Sequence, residues 1–249
     1  MRIKLLDAHC HLDLYPSYET VVTECIANHV RVLAVTTTPR AFEGNLSRTN
    51  RAPMIDVALG IHPQVVGTPN ADIALFRRLL PMAQFVGEVG LDASPAHYRT
   101  FADQQEVFAE IIRLCVEAGG RPMSVHGVRS TKQVLSLIDR HDPARKNRYA
   151  LHWFTGVAAE LRAASGWGCY FSVNAAMFRT PRGRTLISIM PPESVLTETD
   201  GPFVLLGSEP LRPVMVIDVL RKLAAAWNIS HENAAIEVAK NFERFSRSP

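Results

Sequence analysis

Short apolar runs alternate with longer amphipathic stretches along the whole chain. The short runs predict buried strands, because brief apolar segments between turn residues are typical of parallel sheets. The eight predicted strands cover residues 3–7, 32–36, 55–60, 84–89, 122–126, 149–153, 169–173 and 194–198. Strands and helices that alternate eight times are typical of a barrel. We therefore predict an α/β fold, a single (β/α)8 TIM barrel.

The stretches between the runs have the spacing of helices that bury one face. The clearest helix is predicted over residues 101–118, where apolar and polar positions fall on opposite faces, and Gly119 ends it. Two more helices are predicted at the carboxyl end of the sequence, over residues 214–227 and 231–245. Ser230 is the expected N-cap of the last one.

The domain organisation follows from the same pattern. No linker rich in glycine or serine and no low-complexity tract interrupts the alternation, so we expect one domain over residues 1–249. An open, doubly wound sheet is the alternative, because periodicity alone does not show whether a sheet closes.

Side chains that bind metals lie at or near the carboxyl ends of the predicted strands. They are His9, His11, His62, Glu88, His126, His152 and Asp200. All strand ends of a barrel open on one face, so residues distant in sequence can converge there. A single histidine is more often a core or surface residue than a ligand. Seven such residues at one edge predict a metal site.

The segment DAHCHLD, from Asp7 to Asp13, gives the strongest local indication of a metal site. Side chains alternate along a strand, so His9 and His11 lie on one face and Cys10 on the other. Two imidazoles on one face at the end of a strand can grip an ion between them.

The number of ligands indicates more than one ion. A catalytic zinc takes about three protein ligands and a water, whereas six ligands are predicted here. We therefore predict two divalent ions, either zinc, magnesium or manganese, with Glu88 bridging them. Imidazoles mixed with carboxylates suit zinc or manganese better than magnesium. The predicted ligands are His9, His11, Glu88, His126, His152 and Asp200.

Composition adds little to this picture. The chain is 47% hydrophobic and 20% charged, as expected of an ordinary globular protein, and its net charge of +3 only mildly favours a polyanionic partner. No stretch is apolar enough to span a membrane and no signal peptide is evident, so we expect a cytoplasmic protein. The four cysteines are far apart, which predicts reduced packing residues.

Aromatic and basic residues near the ligands are candidate substrate contacts. Phe178, Arg179, Arg182 and Arg184 follow the seventh predicted strand, where they could stack a base and bind phosphates. A solvent-exposed, positively charged first turn of a helix would explain these four residues equally well. Trp153, beside His152, could stack a terminal base or pack in the barrel.

In order along the chain, seven motifs resemble those of the TatD-like metal-dependent deoxyribonucleases. They are DAHCHLD, GIHP, GEVGLD, SVHG, HWFTG, TETDGPF and KNFERF. The resemblance implies a barrel of the metallo-dependent hydrolase type that hydrolyses DNA, often from the 3′ end, or deacylates mischarged tRNA. It also implies these roles: one ion on His9 and His11, the other on His126 and His152, Glu88 shared, Asp200 by the water, and His62 near the phosphate.

The chain also resembles the TatD-like component of Qat anti-phage cassettes, which implies a defence role and protein partners. It departs from the family after the fifth strand, where the family has arginine two positions beyond the histidine and this chain has Val128 followed by Arg129. We include Arg129 among the candidate substrate contacts. The departure changes the wall of the pocket and leaves the metal ligands whole.

Three functions follow, and the leading one is a phosphodiesterase acting on DNA. In it, Glu88 and Asp200 are catalytic, Asp200 accepts a proton from water, and Glu198 has a supporting role. The second is ester or amide hydrolysis, such as the deacylation of D-aminoacyl-tRNA, which the same ligands could perform. The third is a largely non-catalytic subunit that binds a partner.

Overall fold

The computed structural model describes residues 5–50 and 52–247. Eight parallel strands form one sheet in sequence order, each hydrogen-bonded to the next. They are β1 (Leu5–Cys10), β2 (Val30–Val35), β3 (Ile55–Leu59), β4 (Phe85–Asp92), β5 (Pro122–Val128), β6 (Arg148–Leu151), β7 (Tyr170–Val173) and β8 (Val195–Thr197). Residues 3–4 of the first predicted strand lie outside the described residues.

Helices follow the strands and cover the outside of the sheet. They are α1 (Tyr18–Asn28), α2 (Pro39–Thr49), α3 (Ile73–Leu79), α4 (Phe101–Glu117), α5 (Thr131–His141), α6 (Ala158–Gly166), α7 (Pro181–Ile189), α8 (Val216–Trp227) and α9 (His231–Ser246). The Ser230 hydroxyl caps α9 as predicted, since it accepts a hydrogen bond from the Asn233 N–H at 3.2 Å. Within the described ranges, no helix has the length and apolar character needed to cross a bilayer.

Hydrogen bonds between the first and last strands close the sheet into a barrel. The Thr197 hydroxyl at the end of β8 donates to the Leu6 carbonyl in β1 at 2.5 Å. Just beyond β8, the Asp200 N–H donates to the His9 carbonyl at 3.0 Å. The predicted TIM barrel is therefore confirmed, and the open, doubly wound sheet is excluded.

Apolar side chains fill the barrel and close its amino-terminal end. Phe85, the first residue of β4, is buried, and its ring centroid lies 6.0 Å from that of Phe242 and 6.3 Å from that of Phe245. Both phenylalanines project from α9, which seals this end of the barrel. The predicted metal ligands lie at the opposite end, where the strands finish.

The predicted and observed strands differ mainly at their ends. β4 runs three residues beyond its predicted end and includes Asp92, whereas β6 stops at Leu151 and leaves His152 and Trp153 in the following loop. Sequence analysis did not predict the hairpin of β9 (Leu205–Leu206) and β10 (Glu209–Pro210). Strands of two residues are too short to show a period.

All four cysteines are buried and unpaired, as predicted. Burial raises the pKa of the Cys25, Cys115 and Cys169 thiols to about 12, so these groups are neutral at physiological pH. Because the thiolate is the reactive form, we expect no thiol of the native protein to react with dithionitrobenzoate. All four should react after unfolding in guanidinium chloride. Rapid modification of a native thiol would contradict this packing.

Candidate active site

The predicted metal ligands meet at the carboxyl-terminal end of the barrel. His9 lies in β1, Glu88 in β4 and His126 in β5, whereas His11, His62, His152 and Asp200 lie in segments that follow strands. All of them except His9 line a cavity of about 690 Å³. The cavity is lined by His11, Thr37, His62, Gln64, Val65, Glu88, His126, Gly127, Val128, Arg129, His152, Trp153, Thr155, Arg182, Asp200 and Phe203.

Glu88 lies at the centre of the histidines, and its two carboxylate oxygens face different groups of them. Oε2 is 3.5 Å from His9 Nε2 and 3.2 Å from His11 Nε2. Oε1 is 2.6 Å from His126 Nδ1 and 2.8 Å from His152 Nε2. The two groups contain the pairs of histidines that the family resemblance implies for two ions.

His62 joins the second group as well. Its Nε2 lies 3.3 Å from Glu88 Oε1, and its ring centroid lies 4.7 Å from that of His126. Its other nitrogen, Nδ1, accepts a hydrogen bond from the Gln64 N–H, which leaves Nε2 directed at the carboxylate. In this tautomer Nε2 carries the proton, so His62 donates to the Glu88 carboxylate rather than binding a metal.

Asp200 completes the first group. Its Oδ1 lies 3.7 Å from the Nε2 atoms of both His9 and His11. The residue has a left-handed backbone with φ of 50°, which turns the chain at the end of β8 and directs the carboxylate into the cavity. Its backbone N–H is held by the His9 carbonyl, so the two ligand segments are tied together.

A second layer of polar groups orients the imidazoles. His9 Nδ1 is hydrogen-bonded to the Ser124 hydroxyl at 2.7 Å, and His152 Nδ1 lies 3.8 Å from Glu198 Oε2. Glu198 also accepts hydrogen bonds from the Ser172 hydroxyl and the Asn174 amide. Partners of this kind fix which ring nitrogen is free to bind a metal. At 3.8 Å Glu198 is not hydrogen-bonded to His152, so its supporting role stays a prediction.

Sequence analysis missed Asp92 and Ser124. Asp92 Oδ2 lies 3.6 Å from His126 Nε2 and accepts a hydrogen bond from the Gln64 side chain at 2.8 Å. The motif GEVGLD does contain a signal for Asp92. Residues four apart in a strand lie on the same face, and Asp92 follows Glu88 by four positions. Ser124 shares a face with His126 in the same way.

The charges at this site favour cations. Burial raises the pKa of Glu88, but His62 and the other imidazoles outweigh it and hold that pKa well below its usual value. Burial lowers the pKa of His126, but the Glu88 and Asp92 carboxylates more than offset this and raise it to about 9. Burial, and then the Glu198 charge, raise the pKa of Asp200 well above its usual value. A bound cation would offset the repulsion among these carboxylates.

The arrangement fits divalent metal ions. His9 Nε2 is buried without a hydrogen-bond partner, although it lies between two carboxylates. A buried polar atom without a partner is costly, and a metal would satisfy it. Two sets of donor atoms, each within 4.8 Å of one another, share Glu88. These sets are His9, His11 and Glu88, and His62, Glu88 and His126.

The structure separates the candidate substrate contacts into two groups. Arg129, Trp153 and Arg182 line the cavity. Phe178 and Arg179 do not; the Arg179 guanidinium donates to the Leu205 carbonyl at 2.7 Å, and the Phe178 ring packs near Lys222. The turn after β7 directs these two residues towards the β9 hairpin and α8, so they lie outside the cavity, and their contact with substrate stays a prediction.

Phe203 is an aromatic residue at the cavity that sequence analysis did not select. Its side chain is 59% exposed, and its ring centroid lies 5.0 Å from that of His11 in an edge-on contact. An exposed aromatic beside ligands offers a surface on which a base can stack. Phe203 is the last residue of the motif TETDGPF. The sequence does not indicate whether an aromatic side chain at this position, after a turn, is exposed or packed in the core.

Comparisons with known proteins agree with this geometry. A family model described as TatD related DNase matches residues 6–247. A metal-dependent hydrolase of Buchnera aphidicola is 26% identical, over 98% of this chain and 97% of its own length. A 3′-5′ ssDNA/RNA exonuclease TatD of Cronobacter sakazakii is 32% identical, over 59% of this chain and 57% of its own. The crystal structure of a TatD homologue from Escherichia coli has a TM-score of 0.88 at 23% identity, covering 98% of both chains.

Proposed function

This chain belongs to the TatD-related DNase family, and from that membership we propose that it is a metal-dependent phosphodiesterase that hydrolyses DNA from the 3′ end. The observation that carries the proposal is the position of Glu88, whose two oxygens face separate groups of histidines. A carboxylate placed in this way can bridge two divalent ions.

The metal ligands in this proposal are those predicted from the sequence. His9, His11 and Asp200 would hold one ion, His126 and His152 would hold the other, and Glu88 would be shared. When bound, such ions supply Lewis-acid chemistry, which lowers the pKa of water from 15.7 to about 7 and neutralises charge on a phosphate. The Ser124 hydroxyl keeps the His9 imidazole oriented through its hydrogen bond, and the Asp92 and Glu198 carboxylates lie near His126 and His152.

The remaining roles belong to side chains of the cavity. Asp200 accepts a proton from the attacking water, because its carboxylate lies in the cavity beside the first pair of histidines. His62 and Arg182 stabilise the negative charge that develops on the phosphate. Trp153 and Phe203 contact the bases near the cleaved bond.

The test is an incubation of metal-loaded protein with single-stranded DNA, double-stranded DNA, RNA and D-aminoacyl-tRNA. The nucleic acids carry a label at the 5′ end, so removal of nucleotides from the 3′ end gives a ladder of shortening products. We expect this ladder with single-stranded DNA, and about two divalent ions per chain by elemental analysis.

The controls separate the alternatives. Release of the amino acid without cleavage of any strand would favour the deacylase. No product from any substrate, with both ions present, would overturn the proposed enzyme and favour a partner-binding subunit. The identity of the metal, a cytoplasmic location and a role in anti-phage defence stay predictions.

A further inference from the structure

A second cavity adjoins the catalytic one. Its volume is about 260 Å³, and it shares Arg129, Thr155 and Arg182 with the catalytic cavity. The second cavity is lined by Arg129, Ser130, Thr131, Lys132, Gln133, Thr155, Gly156, Glu160 and Arg182. The proposed mechanism uses none of the residues that line this cavity alone. Because the two cavities share these residues, a ligand in the second cavity can extend into the catalytic one.

Positive charge dominates the second cavity. Arg129, Lys132 and Arg182 supply three cations against the single carboxylate of Glu160. Within residues 5–50 and 52–247, neither Arg129 nor Lys132 forms an ion pair or a side-chain hydrogen bond. Glu160 is already engaged, since its Oε2 accepts a hydrogen bond from the Val157 N–H at 2.8 Å. The cations are thus free to neutralise an anion.

Arg182 is held in position by the backbone. Its Nη2 donates to the Thr155 carbonyl at 2.7 Å and to the Gly156 carbonyl at 2.9 Å. A guanidinium has five N–H donors, so most of them remain available. Because Arg182 lines both cavities, it can contact groups in either of them.

Thr131 is a further polar group in this cavity. The residue is only 8% exposed, and its hydroxyl has no hydrogen-bond partner in the part of the chain that the structure describes. The neighbouring Ser130 hydroxyl is engaged, since it donates to the Leu91 carbonyl at 2.8 Å. The Thr131 hydroxyl lines the cavity and bonds to no other described residue, so it can donate to a ligand that accepts hydrogen bonds. The free N–H groups of the first turn of α5 favour the same kind of ligand.

We propose that the second cavity binds a backbone phosphate of the nucleic acid, one other than the phosphate being cleaved. The proposal rests on the proposed function, since it concerns the same substrate. Lys132 and Thr131 contact this phosphate, and Arg129 and Arg182 lie between it and the scissile one. The site selects polynucleotides over small phosphodiesters, because only a strand places phosphates in both cavities at once.

The experiment compares Lys132→Gln with Lys146→Gln, a matched exposed lysine that precedes β6 at the opposite end of the barrel. Two substrates are used, a single-stranded oligonucleotide and bis(p-nitrophenyl) phosphate. For Lys132→Gln, we expect the ratio of the two kcat/KM values to fall about three- to fivefold, which is the loss of one exposed charge contact. The dependence of log KM on log salt should flatten by about 0.7. Lys146→Gln should match the wild type in both.

A second measurement locates the bound phosphate. Oligonucleotides carrying one uncharged methylphosphonate linkage, at successive positions from the 3′ end, are compared in wild type and Lys132→Gln. We expect a loss of kcat/KM in the wild type at one internal position, and a smaller loss there in Lys132→Gln. If the wild type cleaves oligonucleotides but Lys132→Gln behaves as Lys146→Gln does, the second cavity is not a phosphate site. If the wild type cleaves none, the proposed function itself fails.

Discussion

Replacing Asp200 by asparagine should lower kcat by about two to four orders of magnitude, the usual contribution of a general base. The substitution keeps the size and shape of the side chain and removes the oxygen that can accept a proton. Asparagine also tolerates the left-handed backbone at this position, where φ is 50°. The backbone hydrogen bond to the His9 carbonyl is unaffected, so the variant should fold.

The measurement is steady-state hydrolysis of single-stranded DNA by metal-loaded wild type and variant, with metal content determined for each. Glu198→Gln is the comparison, because Glu198 is buried behind His152 and does not line the cavity. That variant should mainly lose stability, by about 1–3 kcal/mol, since an amide cannot accept every hydrogen bond that the carboxylate does. A metal-loaded Asp200→Asn enzyme that stays within a few-fold of wild-type kcat would show that another group accepts the proton.

Replacing Glu88 by glutamine should lower the metal content from about two ions per chain to one or fewer. Both carboxylate oxygens face histidines, and an amide presents only one oxygen and carries no charge. Activity on DNA should fall by at least about two orders of magnitude, because charge on the phosphate loses its stabilisation.

Elemental analysis of dialysed, metal-loaded protein measures this change, and circular dichroism checks that the fold is kept. Glu110→Gln is the matched control, since Glu110 lies away from the cavity and forms ion pairs with Arg77 and Arg113. It should keep its full metal content and activity. Two tightly held ions in a folded Glu88→Gln protein would show that Glu88 is not the shared ligand.

Replacing the ligands of one group should also be selective. The two groups share Glu88, and His9 and His152 are also in contact, with stacked rings whose centroids lie 3.9 Å apart. Exchange of both His9 and His11 for alanine should therefore remove one ion and leave the other weakly bound by His126 and His152. Loss of both ions from a folded protein would indicate a single shared site.

The amino-acid sequence by itself determined the eight strands and their order, and it predicted a ligand set at their carboxyl ends. Both features can be recognised locally. A short run of apolar residues indicates a buried strand, and the polar residues at its end indicate where the strand finishes. His9 and His11 could be placed on one face from alternation alone. Asp92 could have been found by the same rule applied to GEVGLD.

Only the tertiary structure decided how these residues meet. Closure of the barrel between Leu6 and Thr197, and the facing of the Glu88 oxygens towards different histidines, depend on contacts between residues far apart in sequence. The hydrophobic periodicity of one segment does not indicate which distant residues it contacts. For the same reason, packing directed Arg179 away from the cavity and brought Lys132 and Arg182 to a second one. The sequence therefore predicted which residues could bind metal ions, and the tertiary structure decided which of them lie close together.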